Sequence, residues 1–293
     1  MISNILLWLR IIRPQTLFAS LVPVLVAGIA VNEAGYSVNP VTLCFTAFCA
    51  LSLQILSNLI NDYYDYLRGT DKAGRQGFKR ALAEGEVTPK SMLCACLLAA
   101  ATACLLGLYL VYTGGVVILA IGITALLFAW LYTATPYSLS YLGIADIFVF
   151  LYYGVIASSG TAYLLLCGEE QTDVWNAAIL SSVYAGAVSG CISMCVLMIN
   201  NLRDIDSDRA VGKRTFPVRF GKNSAYIFLF VLVLLMPVFA YLAFSSPLPM
   251  LVVIPAFVLW LKIIKSEGAA YNKCLVFAGM INLVYLILCC LRG

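Results

Sequence analysis

The stretch QILSNLINDYYDYLRGTD, from Gln54 to Asp71, begins inside an apolar run that opens at Val41 and carries amides and carboxylates out of it. Read as a helix, Gln54, Asn58, Asn61, Asp62 and Asp65 recur at steps of three and four, so they share one face. Gly69 then breaks the helix, and Asp71 follows in the loop. An unpaired Asp near the middle of a bilayer costs about 2.5–3.5 kcal/mol. Such residues at a span end are wasteful unless they line a polar cavity. The stretch therefore calls for a membrane around it and a cation within it.

The rest of the chain supplies the membrane. Its 293 residues are 62% hydrophobic and 11% charged, with a mean hydropathy of +0.96. Soluble domains are about one quarter charged, and a soluble fold could not hide so much apolar surface. A span needs about 20 apolar residues. Nine runs qualify: 12–31, 41–58, 92–111, 116–131, 143–166, 177–199, 224–244, 248–264 and 273–291. The fold class expected is all-α: about nine transmembrane helices around a central cavity. Tight turns at 112–115 and 245–249 make their flanking helices antiparallel neighbours. The N-terminal segment carries no signal-peptide cleavage pattern, so the first run is read as a retained span.

Basic residues then set the orientation. With nine spans, Arg10 and Arg13, the cluster Arg68–Lys90, the cluster Arg203–Lys222 and Lys262, Lys265 and Lys273 all fall on one side, and only Arg292 on the other. The positive-inside rule places the N-terminus, both charged loops and the cavity mouth in the cytoplasm, and the C-terminus opposite. In a bacterium the membrane would be the plasma (inner) membrane.

A second motif closes the sixth run: Asn200, Asn201, Asp204, Asp206 and Asp208, followed by Lys213 and Arg214. Asn200, Asp204 and Asp208 lie one turn apart, while Asp206 points away and reads as solvated. The two motif loops, 58–90 and 200–222, follow the second and sixth spans. That spacing suggests a single domain, 1–293, of two pseudo-equivalent halves. Carboxylates packed together repel and take up protons unless a cation sits among them. Oxygen-only ligands select hard cations such as Mg²⁺, which takes a few carboxylates plus substrate phosphate oxygens. Cations follow each motif at once, Arg75, Lys79 and Arg80 after the first. Metal and basic side chains at one mouth describe a diphosphate clamp. The plainer reading of one such loop is a solvated connection; two matching loops on one side, each begun inside a span, favour the clamp.

Other chemistry is excluded. The chain has no histidine, which removes histidine acid–base chemistry and histidine-ligated zinc or haem. The 11 cysteines are scattered through apolar runs and read as packing residues. No nucleic-acid motif is present, and no obligate protein partner is indicated.

At RPQTL (Arg13–Leu17), Gln54–Asp71, YTATPYSLSYLGIAD (Tyr132–Asp146) and NNLRDIDSDRAVGKRTFPVRFG (Asn200–Gly221), the sequence resembles the UbiA-type intramembrane aromatic prenyltransferases. Within them it is most similar to the branch that prenylates 1,4-dihydroxy-2-naphthoate in menaquinone biosynthesis. The resemblance implies Mg²⁺-dependent transfer of an isoprenyl group from a prenyl diphosphate to an aromatic acceptor, with loss of the naphthoate carboxylate as CO₂. It also implies roles. Asn61, Asp65 and Asp71 would match the first metal motif and Asp204 and Asp208 the second, with Lys213 and Arg214 on the diphosphate. Asp62 and Asn200 complete the candidate metal set, and Asn58, Arg75 and Arg80 the candidate diphosphate set. Ala134-Thr135 stands where the branch usually has Gly-Gly, and Asp146 where Glu is commoner. Both departures fall near the acceptor.

The acceptor side is thinner in signals. Tyr63, Tyr132 and Tyr137 lie nearest the motifs and offer π faces to a cation, although belt and packing roles are commoner for Tyr. Asp146, at the start of the fifth run, is the candidate general base, with a helix-capping role as the alternative. Gly154, Ser158, Ser159 and Gly160 suggest close helix packing or room for a prenyl tail. Rival functions are prenyl transfer to hydroxybenzoate, homogentisate or a similar acceptor, and an ion-coupled transporter.

Overall fold

The computed structural model describes residues 2–69, 79–134 and 138–292; the sequence candidates Asp71, Arg75 and Tyr137 lie outside them. Every regular element among the described residues is helical. In chain order these are α1 (Ile2–Ile12), α2 (Pro14–Glu33), α3 (Pro40–Leu67), α4 (Pro89–Leu131), α5 (Leu139–Leu142), α6 (Ala145–Phe150), α7 (Ala157–Leu165), α8 (Asp173–Arg203), α9 (Ile205–Ala210), α10 (Phe216–Phe244), α11 (Val253–Ile263) and α12 (Tyr271–Cys290). A π-helical turn, Leu151–Ile156, joins α6 to α7, and a 3₁₀ turn, Pro249–Val252, leads into α11.

Among the described residues, seven helical segments are long and apolar enough to cross a membrane, and Pro249–Ile263 is a shorter apolar helix. The difference from nine runs lies mostly in α4. Its 43 residues would extend about 64 Å, twice a bilayer core. Gly115 departs from helical geometry within it (φ 62°, ψ −147°). The packing shows that the chain doubles back there. Met92 and Cys96 lie with Leu59 and Ile60, toward the C-terminal end of α3. Tyr109 meets Thr42 and Phe45 at the start of α3. Trp130 has returned to Tyr64, 5.4 Å between ring centroids. Counting α4 as two crossings and adding Pro249–Ile263 restores nine among the described residues.

The first run, read as 12–31, is α2; a separate helix, α1, precedes it, and the chain breaks between them at Arg13, whose backbone is left-handed (φ 58°). Pro14 then starts α2, its fixed φ suited to a first turn. Past the apolar run that ends at Asn58, α3 continues to Leu67, just short of Gly69, as the three-and-four spacing of the first motif requires. At 28 residues it reaches about 42 Å, so its last turns, which carry Asn61 and Asp65, can emerge from the hydrocarbon core.

The largest core cluster joins α2, α8, α10, α11 and α12. Its small residues permit close crossings. A Cβ added to Gly154 would lie 2.9 Å from the Gly186 carbonyl and from the Gly190 Cα. The glycines between the π turn and α8 therefore serve backbone-to-backbone packing. The packing of α2 against both α3 and α8 brings the two motif helices to one cavity.

Candidate active site

A cavity of about 830 Å³ opens among α2, α3, α4, α6–α8 and α12. Its inner wall is apolar, with Leu110, Ile118, Ile121 and Leu164. Its mouth holds the ends of both motifs. Asn58, Asn61 and Asp65 come from α3, Asn200 from α8, Asp204 from the junction after it and Asp208 from α9; all six line it.

The decisive contact joins the motifs. The Lys213 ammonium lies 3.9 Å from Asp65 Oδ1 and 3.7 Å from Asp208 Oδ1. Two carboxylates 143 residues apart in sequence thus face a single cation, which offsets their mutual repulsion. Lys213 is held there by local structure. Its N–H donates to the Asp208 carbonyl, closing α9, and Gly212 takes a positive φ of 78°. The next residue, Arg214, donates its N–H to the Tyr141 carbonyl. Gly143, at φ 70°, lies against the Arg214 carbonyl so closely that a Cβ would collide with it. Tyr141 consequently presents its ring to both Lys213 and Arg68, at 5.6 and 5.2 Å.

The other motif carboxylates among the described residues are also matched with cations. Asp62, 3% exposed, is ion-paired with Arg13 and with Arg80 at 2.5 Å. Asp204 takes a two-pronged pair from Arg203, at 2.8 and 2.7 Å, and Arg203 also donates to Asn272. Arg13, Arg80, Arg203 and Lys213 all line the cavity. The sequence reading ranked Arg13 and Arg203 only as flanking charge. The signal for Arg203 was its place beside Asp204; for Arg13 it was the Arg-Pro junction, where a helix must restart.

Second-motif geometry departs from a single helical face. Helix α8 ends at Arg203, and Asp204 is non-helical (φ −97°, ψ 13°). The one-turn spacing survives because Asp204 N–H bonds to Asn200 O and Asp208 N–H to Asp204 O. Asp206 sits at the rim, exposed and paired with Arg209 at 3.6 Å.

Several candidates stand elsewhere. The Asn58 amide donates to the Ile12 carbonyl and Thr16 hydroxyl, both at 2.9 Å, so it fastens the α1–α2 break to α3. Arg214 is exposed and Tyr63 stacks edge-on with Tyr64; neither lines the cavity. Tyr132 does line it, within electrostatic reach of Asp65, Asp146 and Asp208. Asp146 is buried in the first turn of α6, its Oδ1 has no hydrogen-bond partner among the described residues, and it stands off the cavity wall.

Can these residues hold Mg²⁺? Every donor is oxygen, and the buried Asn61 Oδ1, one turn from Asp65, has no hydrogen-bond partner among the described residues. No three carboxylates converge among the described residues. Mg²⁺ with one or two carboxylates, substrate phosphate and water requires no such trio. The Asp65–Asp208 pair with Asn61 fits it.

The UbiA prenyltransferase family profile matches residues 20–280. Among curated relatives, 1,4-dihydroxy-2-naphthoate octaprenyltransferase of Escherichia coli (strain K12) is 33% identical over 76% of this chain and 71% of its own length. The protein of the same name in Bacillus subtilis (strain 168) is 32% identical over 75% and 67%. Among solved structures, a UbiA homolog from Aeropyrum pernix K1 aligns with TM-score 0.69 at 14% identity, over 93% of this chain and 96% of that one. A UbiA homolog from Archaeoglobus fulgidus, bound to DMAPP and Mg²⁺, aligns with TM-score 0.61 at 18% identity, over 97% and 98%.

Proposed function

The chain belongs to the UbiA prenyltransferase family, and from that premise we propose that it transfers an isoprenyl group from a prenyl diphosphate to 1,4-dihydroxy-2-naphthoate. The acceptor carboxylate leaves as CO₂ and the diphosphate as the other product, giving the reduced form of demethylmenaquinone. The observation that carries the reading is Lys213 bridging Asp65 and Asp208 at the mouth of an apolar cavity. Charged head and apolar tail of one substrate match the two ends of that space.

Each group acts from its place. Lys213, Arg80, Arg13 and Arg203 face the diphosphate and stabilise the charge it gains as the C–O bond breaks. Asn61, Asp65, Asp204 and Asp208 would hold Mg²⁺, which would supply Lewis-acid neutralisation of that leaving group. The prenyl tail lies along Leu110, Ile118, Ile121 and Leu164. Phe128, Phe148, Tyr152 and Tyr153, all in the cavity wall, shield the allylic cation from water and offer it π faces. Asp146 acts on the acceptor through Tyr132 rather than as a base in direct contact. The excess of basic residues at the motif end supports a cytoplasmic mouth. One domain of two pseudo-equivalent halves is supported by the extensive α3–α4 and α8–α10 interfaces, which occupy matching places in the two halves.

The test is product analysis. Purified protein with Mg²⁺, octaprenyl diphosphate and a panel of naphthoate, hydroxybenzoate and homogentisate acceptors is expected to yield prenylated naphthol with loss of CO₂. Conversion of another acceptor in its place would overturn the naphthoate assignment.

A further inference from the structure

Halfway down the cavity wall the chain leaves polar atoms unpaired. Gln54 Oε1, Ser193 Oγ and both amide atoms of Asn282 are buried without a hydrogen-bond partner among the described residues. All three residues line the cavity, and all are less than one-tenth exposed: 6%, 5% and 0%. An unpaired buried amide or hydroxyl is costly, and these three come from different helices, α3, α8 and α12.

Their depths are close. Two cross-helix bonds, Arg203 to Asn272 at 2.9 Å and the Tyr285 hydroxyl to the Ala185 carbonyl at 3.1 Å, show α8 and α12 antiparallel. From the first bond Ser193 and Asn282 each lie ten residues inward; from the second they lie eight and three residues away, so their depths agree to within five residues, about 8 Å. Gly279, one turn before Asn282, packs on the Gln15 carbonyl, where a Cβ would stand at 2.6 Å. Gln54 donates its amide to the neighbouring Thr16 hydroxyl at 3.3 Å. The three thus form a collar around α2, inward of Lys213 and above the apolar wall of Leu110 and Ile118.

We propose that this collar is the subsite for a neutral hydroxyl of the aromatic acceptor, Asn282 and Ser193 being its specificity-determining residues. The collar rests on the prenyltransferase reading above. It contains no cation, so it rejects a carboxylate, and an acceptor carboxylate turns instead to the arginines at the mouth. The hydroxyl remote from that carboxylate then meets the collar. Asn282 offers both a donor and an acceptor, and its terminal amide torsion is soft.

The experiment measures equilibrium binding of 1,4-dihydroxy-2-naphthoate and of 1-hydroxy-2-naphthoate, which lacks the remote hydroxyl, by naphthol fluorescence under anaerobic conditions. Wild-type protein is expected to bind the dihydroxy compound about tenfold more tightly. Asn282→Ala and Ser193→Ala should each shrink that ratio, raise KM for the acceptor and leave KM for the prenyl diphosphate unchanged. Neither should lower thermal stability, since neither breaks a hydrogen bond; a structural role would lower it. Equal binding of the two compounds by wild type, an unchanged ratio in both variants, or no acceptor binding at all overturns the collar. Tight binding with turnover of a different phenol overturns the naphthoate reading instead, and the same variants with that phenol and its methyl ether then decide the collar.

Discussion

Asp62 and Asp65 sit three residues apart on one helix face and do different work. Asp62 pairs with two guanidiniums, whereas Asp65 shares an ammonium with the other motif. Asp65→Asn is accordingly expected to raise the Mg²⁺ concentration needed for half-maximal turnover and to cut kcat by about 10²–10³. Asp62→Asn should leave the Mg²⁺ requirement in place while destabilising the fold by about 1–3 kcal/mol, because it weakens the ion pairs that Asp62 makes with the partly buried Arg13 and Arg80. Magnesium titrations beside thermal melts separate the two; a shifted Mg²⁺ requirement in Asp62→Asn would make it a ligand. Lys213→Met should lower kcat/KM for the prenyl diphosphate by about 10²-fold with the acceptor KM unmoved. Steady-state kinetics in both substrates check it.

At the scale of elements, the close crossing of the π turn and α8 is the sensitive joint. A Cβ on Gly154 would meet backbone at 2.9 Å, atoms that cannot swing aside. On Gly28 it would meet only the Leu43 side chain at 3.4 Å. Gly154→Ala is therefore expected to cost about 1–3 kcal/mol and Gly28→Ala far less, read as melting temperature in detergent. Much of this level was legible. The three-and-four spacing from Gln54 to Asp65 placed the first motif on one helix face, and apolar length found each crossing. The α1–α2 break was not legible, because a left-handed Arg13 depends on Asp62 and Asn58, more than 40 residues away. Nor was the 204 kink, since hydrogen bonding keeps its sequence spacing helical. Asn282 and Ser193 were hidden for another reason: one polar residue in an apolar run reads as packing until its neighbours fail to bond it. The pairing of Arg13 and Arg80 with Asp62 is tertiary, and spacing along the chain carries no trace of it.

For the whole molecule, the two ends contrast. The motif end is a set of cations and carboxylates around an opening; at the far end Arg292 ties three segments together. Arg292 pairs with Glu33 of α2, donates to the Phe244 carbonyl that ends α10, and lies 4.3 Å from the Phe244 ring centroid. Arg292→Ala should lower the melting temperature, by about 1–3 kcal/mol of lost contacts, and leave kcat per folded molecule unchanged. A parallel loss of kcat would mean that the far end communicates with the mouth. Between those ends, α2 packs against both α3 and α8 and carries no aspartate of its own. The gap between Asp65 and Asp208 is thereby a dimension gauged by a helix outside the chemistry, much as a shim sets the opening of a jaw. An inhibitor lodged beside α2 could spoil catalysis by spreading that gap, without resembling either substrate or competing with it.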